Sequence, residues 1–275
     1  MRIEFLKMQG LGNDFLVFDA PAAADSHLDS SRLRALADRH TGIGFDQALM
    51  LENPRDAGSR VFYRIFNSDG TEVEQCGNGA RCIAALLYSR APELGRELTL
   101  GSPAGNVRAR VRDDGLVSVD MGIPEFEEPF EFSLKIESKD ITMSALSLGN
   151  PHAVLRVPDV KTAPVELWGP SIQRHPHFPN RANVGFMQIL GRNHILLRVF
   201  ERGAGETQAC GTGACVAVAV GVRQGLLDSE ARVDLPGGTA MVSWDGPGQH
   251  IWLTGPATTV FTGSIDLTRF TGAKQ

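Results

Sequence analysis

The sequence contains two similar halves. Residues 72–79 (EVEQCGNG) resemble residues 206–213 (ETQACGTG), and residues 10–14 (GLGND) resemble residues 147–151 (SLGNP). Three shorter matches keep the same order at a nearly constant separation: residues 44–47 with 185–188, residues 66–70 with 200–203, and residues 114–115 with 245–246. The separation is too long for a solenoid. The sequence therefore predicts an internal duplication that gives two similar domains, each large enough for its own core.

Each half predicts short strands and one buried helix. Asp-Gly pairs at residues 114–115 and 245–246 indicate hairpins. One helix is predicted from about Cys76 and another from about Cys210, and the second is apolar on almost every side. Such a helix is buried in protein. The pattern favours an α+β fold in which strands wrap a central helix in each half, with surface helices near residues 31–40 and 165–174.

The boundary between the halves lies near residue 118, and the second half begins near residue 121. Residues 125–139 are acidic and aromatic, and they have no counterpart in the first half that the sequence reveals.

Composition excludes several classes of function. The net charge is −5, and no basic block is present, which argues against nucleic acid as a partner. No apolar stretch is long enough for a membrane span, and the N-terminus lacks the apolar core of a signal peptide, so we expect a cytoplasmic location. The four cysteines are spaced as C-x5-C and C-x4-C, which differs from structural zinc sites. We expect thiols and no bound metal.

The two cysteine loops carry the candidate chemistry. Cys76 and Cys210 are each followed by Gly-x-Gly and then by a helix. The unpaired N–H groups at a helix start bind anions, and they are expected to lower the pKa of a neighbouring thiol. Two such loops that face each other could hold one substrate carboxylate and place its α-carbon between the two sulfurs. A thiolate would then remove the α-proton from one face, and a thiol would return a proton to the other.

Other interpretations remain open from these residues. Cys82 and Cys215 lie inside the apolar helices and are expected to be core residues. Cys76 and Cys210 could instead form a redox disulfide, which would make the chain a thiol–disulfide or metal-binding protein. A further alternative is another racemase without a cofactor, such as one acting on proline.

Five motifs together resemble the diaminopimelate epimerase family: residues 8–15 (MQGLGNDF), 67–70 (NSDG), 76–82 (CGNGARC), 149–152 (GNPH) and 201–215 (ERGAGETQACGTGAC). The resemblance implies two pseudo-symmetric domains, each a β-barrel-like sheet around a central helix. It assigns residues 1–118 with 263–275 to an N-terminal domain and residues 119–262 to a C-terminal domain. It implies conversion of LL- to meso-diaminopimelate without pyridoxal phosphate or any other cofactor, in lysine and peptidoglycan precursor synthesis, and it is compatible with a homodimer.

The resemblance also implies roles for individual residues. Cys76 and Cys210 match the acid and base, while the backbone donors to the reacting carboxylate match Gly77, Asn78, Gly211 and Thr212. The remaining substrate contacts match Asn13, Gln47, Asn67, Asn150, Asn183, Glu201 and Arg202. A guanidinium such as that of Arg202 suits the distal carboxylate, and Glu201 suits an ammonium group. His152 either orients a thiol or caps a turn.

Overall fold

The chain divides into two compact units. The computed structural model describes residues 2–19, 28–74 and 76–270. Unit 1 comprises Met1–Val119 and Pro256–Gln275, and unit 2 comprises Asp120–Gly255. The C-terminal segment of unit 1 thus begins at Pro256, earlier than the residue 263 expected from the sequence, and residues 271–275 of that expectation lie outside the described residues.

Among the described residues, unit 1 contains the first eight strands, two helices and a final strand that follows unit 2 in the chain. The strands are β1 (Arg2–Gly10), β2 (Asn13–Phe18), β3 (Gln47–Glu52), β4 (Phe62–Asn67), β5 (Glu72–Val73), β6 (Glu97–Ser102), β7 (Gly105–Val111) and β8 (Val117–Asp120). The helices are α1 (Ser30–Ala37) and α2 (Gly77–Arg90), and a 3-10 turn follows at Pro92–Leu94.

Unit 2 repeats this plan. Its strands are β9 (Glu125–Ile136), β10 (Lys139–Ser147), β11 (Pro151–Arg156), β12 (Asn183–Gly191), β13 (His194–Glu201), β14 (Gly205–Glu206), β15 (Glu230–Leu235), β16 (Gly238–Ser243) and β17 (Trp252–Gly255). Its helices are α3 (Val165–Gln173) and α4 (Gly211–Arg223). The chain ends with β18 (Thr258–Asp266) and a 3-10 turn at Leu267–Phe270, both in unit 1.

Strand pairing confirms the duplication. In unit 1, β2 pairs antiparallel with β1 and parallel with β3, β4 pairs with β3 and β5, and β6, β7 and β8 form a meander. In unit 2, β11 pairs with β10 and β12, β13 pairs with β12 and β14, and β15, β16 and β17 form the meander. The predicted α+β class with two pseudo-symmetric units is confirmed.

The pairing also identifies counterparts that the sequence did not. β18 lies antiparallel to β1, and β9 lies antiparallel to β10. The segment 125–139, which had no counterpart in the sequence, therefore corresponds largely to the C-terminal strand β18. The two strands occur at different points along the chain, one before and one after the remainder of its unit.

One predicted repeat match is wrong. The parallel ladders place Phe15 beside Gln47 in unit 1 and His152 beside Asn183 in unit 2. Gln47 therefore corresponds to Asn183, and not to Gln188 as the match of residues 44–47 with 185–188 suggested. The error arises because a short Gly-Phe-x-Gln match carries little information.

The central helices are buried, as predicted. In α4, every residue from Gly213 to Gly221 is buried, and α2 is buried from Gly77 to Ala84. Helix α4 contacts strands from most of its sheet, namely β10, β11, β12, β13, β16 and β17. No helix among the described residues is long and apolar enough to cross a membrane.

A duplicated ion pair anchors the segment that precedes each cysteine. Arg64 on β4 contacts Glu72 on β5 at 2.7 Å, and Arg198 on β13 contacts Glu206 on β14 at 2.5 Å. Each guanidinium donates through Nε and Nη2 to both carboxylate oxygens. Bidentate pairing fixes orientation as well as distance, so the short strands β5 and β14 direct the chain into the two cysteine loops.

Packing between α3 and β13 generates a stability prediction. A Cβ atom added at Gly169 of α3 would lie 2.5 Å from Cγ of Phe200, on β13. We expect Gly169→Ala to lower the free energy of unfolding by about 1–3 kcal/mol, since overpacking outweighs the helix propensity gained. Urea denaturation measures this. Gly191→Ala is the control because its nearest heavy atom is 4.0 Å away, and equal midpoints for the two variants would contradict the packing argument.

Candidate active site

The Cys76 side chain caps the buried helix of unit 1. Cys76 has extended backbone angles (φ −147°, ψ 110°), and Gly77 is the first residue of α2. The backbone N–H of Gly79 donates to Cys76 Sγ at 3.5 Å. A side chain at this position accepts from the helix start because the first turn has N–H groups with no partner inside the helix. The thiol is half-buried at the donor end of the helix.

Asn13 lies against this thiol. Asn13 Oδ1 accepts from Asn78 Nδ2 at 3.2 Å and from Cys76 Sγ at 3.8 Å. Asn13 Nδ2 donates to Asp46 Oδ2 at 3.0 Å. The structure thus brings together Asn13, Cys76 and Asn78, three of the residues that the resemblance matched to the site. It adds Asp46, which sequence reasoning missed although Asp46 stands next to the candidate Gln47.

Charged residues surround Asp46. Arg39 donates to Asp46 Oδ1 at 2.8 Å and to both carboxylate oxygens of Asp14. Lys7 contacts Asp14 Oδ2 at 2.6 Å. Burial opposes ionisation of Asp14, but the hydrogen bonds from Arg39 and Lys7 outweigh it and lower its pKa to about 2. The Asp14 carboxylate therefore stays ionised at neutral pH.

Gln47 and Asn67 form a second polar pair in unit 1. They face each other across β3 and β4, and Gln47 Nε2 donates to Asn67 Oδ1 at 3.0 Å. Asn67 Nδ2 also donates to Thr71 at 3.2 Å. Because Gln47 directly follows Asp46, the pair lies at the same sheet end as the Asn13 cluster.

Cys210 occupies the corresponding position in unit 2 but has a different environment. It caps α4, and Gly211 and Thr212 are the first two helical residues. Cys210 Sγ lies 3.5 Å from Thr212 Oγ1. A Cβ at Gly213 would lie 3.2 Å from Cys210 Sγ and 3.0 Å from Val199. Any residue other than glycine at this position would therefore crowd the Cys210 sulfur.

The electrostatics at Cys210 contradict the lowered pKa predicted from the helix start. Burial and then the carboxylate of Glu201 raise the pKa of the Cys210 thiol well above 9.0, although Thr212 and the Gly213 N–H act in the opposite direction. Cys210 is only 4% exposed. Loss of hydration and a nearby negative charge together exceed the stabilisation from helix donors. Cys210 is a protonated thiol at neutral pH.

Glu201 lies beside Cys210, which places it nearer the candidate acid or base than the sequence had suggested. Glu201 ends β13 and accepts a hydrogen bond from the Thr207 hydroxyl. Thr207 was not predicted, but it lies within the 201–215 motif, between Glu201 and Cys210.

A third cluster surrounds His152. Its Nε2 lies 3.0 Å from Asn150 Oδ1 and 3.4 Å from Asn183 Nδ2. Asn183 Oδ1 accepts from the Arg202 backbone N–H at 2.8 Å, while the Arg202 side chain is exposed and donates to the Asn180 carbonyl. Burial, with a contribution from Arg202, lowers the pKa of His152 to about 3. The neutral imidazole therefore contacts both Asn150 and Asn183 through Nε2, and in either tautomer that nitrogen hydrogen-bonds to only one of the two amides.

The other two cysteines are core residues, as expected. Cys82 and Cys215 are both fully buried inside the central helices, and burial raises the pKa of Cys82 to about 12. All four cysteines are thiols rather than disulfides. Within residues 2–19, 28–74 and 76–270, no group of three or more His, Cys, Asp or Glu side chains is arranged to hold a metal ion.

The fold is shared with proline racemase-like and PhzF-like proteins. A hydroxyproline epimerase from Agrobacterium vitis superposes with a TM-score of 0.71 at 16% identity, covering 96% of this chain and 92% of that chain. A PhzF-family phenazine biosynthesis protein from Bacillus anthracis superposes with a TM-score of 0.73 at 19% identity, covering 96% and 99%. At such identities the likeness establishes the fold.

Sequence comparison narrows the class to one family. The family model described as diaminopimelate epimerase matches residues 5–127 and 144–260. A diaminopimelate epimerase from Nitrosomonas europaea is 51% identical, and one from Stutzerimonas stutzeri is 47% identical. Each alignment covers 97% of this chain and 100% of the relative. The chain belongs to the diaminopimelate epimerase family.

The buried His152 generates a pH prediction. Its pKa is about 3 in the folded chain and about 6.5 when unfolded, so between these values the unfolded state binds a proton that the folded state does not. Folding stability therefore falls as the pH drops through this window. We expect wild-type protein to lose about 2–3 kcal/mol more than His152→Gln between pH 7 and pH 4.5, measured by urea denaturation.

The exposed His40 provides the control for this measurement. The variant His40→Gln should follow the wild-type pH dependence. Parallel stability curves for wild type and His152→Gln would show that His152 is protonated in the folded state.

Proposed function

We propose that this chain interconverts LL- and meso-diaminopimelate by a two-thiol mechanism, with Cys76 and Cys210 exchanging the roles of base and acid. The observation that carries the proposal is the repeated placement of a cysteine at the N-cap of a buried helix, in both units of a chain from this family. Lysine and peptidoglycan precursor synthesis is the metabolic setting that this reaction serves.

Backbone donors supply the stabilisation that the reaction needs. Removing an α-proton places negative charge on the substrate carboxylate, and in this mechanism that charge is held by N–H groups of the helix starts. The donors are Gly77, Asn78, Gly211 and Thr212. A well-placed donor of this kind supplies about 3–4 kcal/mol to a developing oxyanion. No cofactor takes part in the proposed steps.

The side-chain environments assign roles in the resting enzyme. Cys210 is the proton donor, because burial and Glu201 raise the pKa of its thiol. Cys76 is then the base for the first step, and the roles reverse in the opposite direction. The ammonium group of the reacting centre binds Glu201, which neutralises the charge beside Cys210.

The amide and guanidinium groups bind the remainder of the substrate. Diaminopimelate carries a second amino-acid end, and its carboxylate suits the exposed guanidinium of Arg202. The amide side chains of Asn13, Gln47, Asn67, Asn150 and Asn183 provide both donors and acceptors. Glu201, placed with the distal group by the sequence, belongs in this scheme to the reacting end.

Isotope exchange tests the two-thiol mechanism. Reduced protein is incubated with LL-diaminopimelate in deuterium oxide, and deuterium at the α-carbon is measured by mass spectrometry. We expect exchange together with formation of the meso isomer. Cys76→Ala and Cys210→Ala should each lower turnover by at least about 1,000-fold, because each removes one proton-transfer group. Cys82→Ala and Cys215→Ala are the matched controls and should retain turnover.

The competing functions give different results in the same assay. A proline racemase would exchange the α-proton of proline and leave diaminopimelate unchanged. A thiol–disulfide protein would show redox activity without α-hydrogen exchange, and a zinc protein would retain bound metal after dialysis. Normal epimerisation by either Cys76→Ala or Cys210→Ala would exclude the two-thiol mechanism.

Substitution of Arg202 tests whether this side chain binds the distal carboxylate of diaminopimelate. We expect Arg202→Met to raise KM for diaminopimelate by about 10- to 100-fold with a smaller change in kcat, because a charge-assisted contact to the non-reacting carboxylate is lost. The variant Arg174→Met, after the end of α3, is the control. An unchanged KM in Arg202→Met would remove Arg202 from the proposed substrate contacts.

A cytoplasmic location and a homodimer remain part of this proposal. Light scattering of the purified protein measures the oligomeric state, and fractionation of expressing cells measures location.

A further inference from the structure

Asp46 determines which end of the Asn13 side-chain amide, the oxygen or the nitrogen, faces Cys76. A carboxylate accepts hydrogen bonds and cannot donate them, so the Asn13 atom that faces Asp46 Oδ2 at 3.0 Å must be the amide nitrogen. The amide oxygen is then directed to Asn78 Nδ2 and Cys76 Sγ. The assignment of the two ends of the amide follows from chemistry.

Asp46 is itself firmly held. Its Oδ1 accepts from Arg39 at 2.8 Å, and its Oδ2 accepts from the backbone N–H of Asp14 at 3.1 Å. Its own backbone N–H donates to Asp14 Oδ1 at 2.9 Å. Lys7 and Arg39 anchor Asp14 in turn. Both carboxylate oxygens of Asp46 therefore have fixed donors, and the carboxylate cannot turn away from Asn13 without losing a charge-assisted bond.

The carboxylate that orients Asn13 in unit 1 has no counterpart at the equivalent position of unit 2. Asp46 immediately precedes Gln47, and the counterpart of Gln47 is Asn183, so the residue at the position of Asp46 in unit 2 is Ala182. The counterpart of Asn13 is Asn150, and its amide contacts His152. The duplicated scaffold therefore orients its two equivalent asparagines by different means.

We propose that Asp46 is a positioning residue that locks the Asn13 amide with its oxygen toward the Cys76 thiol. The inference deepens the proposed function, since it rests on Cys76 acting as an acid or base. An acceptor beside sulfur stabilises the protonated thiol, which is the form that Cys76 reaches when it has removed the substrate proton, and so raises the proton affinity of Cys76 as a base; the amide nitrogen in the same place would stabilise the thiolate instead. Asp46 thus sets the balance between the two forms of Cys76 without touching substrate.

We expect Asp46→Asn to reverse the orientation of the Asn13 side-chain amide. An asparagine at position 46 has one acceptor oxygen where Asp46 has two, and Arg39 and the Asp14 backbone N–H can only donate to it. We expect the oxygen to turn toward Arg39, because that donor is charged, so that the nitrogen faces Asn13 and the hydrogen bond from the Asp14 N–H is lost. Asn13 then rotates and directs its own nitrogen to Cys76. Asp46→Ala tests the same lock by a second route, because it leaves Asn13 without an acceptor at this position.

Iodoacetamide alkylates the thiolate form of a cysteine. The rate of Cys76 alkylation, measured by peptide mass spectrometry over a range of pH, therefore reports the fraction of Cys76 that is thiolate. Cys76 is half-buried while Cys82, Cys210 and Cys215 are buried, so the peptides separate their rates. We expect the alkylation profile of Asp46→Asn and of Asp46→Ala to move to lower pH by about 0.5–1 unit. Asp234→Asn, which disrupts the ionic contacts of Arg232 and His194 on β15 and β13, is the matched control and should not move it.

A double-mutant cycle ties the shift to Asn13. In an Asn13→Ala background, Asp46→Asn should produce no further shift of the alkylation profile. An equal shift in both backgrounds would mean that Asp46 acts on Cys76 through its charge alone, and an unshifted profile in Asp46→Asn and Asp46→Ala would mean that it does not orient the amide. Either result overturns the proposal.

Kinetics separates this proposal from the proposed function. In Asp46→Asn, kcat/KM should fall by about 10-fold equally in both directions, because the equilibrium constant between the isomers belongs to the substrate and no variant changes it. Wild-type protein that fails to epimerise diaminopimelate would refute the proposed function, whatever the alkylation result. Wild-type epimerisation with unchanged kinetics and alkylation in Asp46→Asn would refute the positioning role alone.

Discussion

The starts of the two buried helices determine the rest of the structure. A helix enclosed by its own sheet needs partners for the N–H groups of its first turn, because water is scarce and the helix itself offers none. Cys76 meets part of that need by accepting from Gly79, and the remaining donors of the first turn suit a carboxylate. The same burial that hides the apolar helix thus leaves preorganised donors at its start, which is the arrangement that the proposed removal of an α-proton without a cofactor requires.

Duplication gave the two units the same backbone but not the same electrostatics. The bidentate pairs Arg64–Glu72 and Arg198–Glu206 are equivalent, and each is followed by a cysteine at the N-cap position of the buried helix. Around the sulfurs the units differ: Cys76 faces a neutral amide oxygen, while Cys210 faces the carboxylate of Glu201. The backbone is therefore similar at the two helix starts, while the polar groups around the two sulfurs differ.

The sequence predicted the features that depend on local pattern. Three local features were enough to predict the duplication, the buried helices and the family. They are the glycine after each cysteine, the apolar residues along each helix and the repeated motifs. Features that depend on tertiary contact were missed. The equivalence of β9 and β18 was hidden because the two strands occur at different points along the chain. Gln47 was matched to Gln188 on a short sequence similarity, whereas the strand register pairs it with the position of Asn183. The pKa of Cys210 depends on burial beside Glu201, which no local motif encodes.

An unequal pair of thiols creates a problem that the substrate can solve. Proton transfer is efficient in both directions only when the two thiols have similar affinities for a proton, because a large difference would trap the proton on one sulfur. In the empty protein, burial and then the carboxylate of Glu201 hold the proton on Cys210. In the proposed mechanism, an ammonium group bound at Glu201 cancels the charge of that carboxylate and lowers the pKa of Cys210. On this argument the enzyme is balanced for catalysis only when occupied, and the unequal resting state keeps one thiol protonated until substrate arrives.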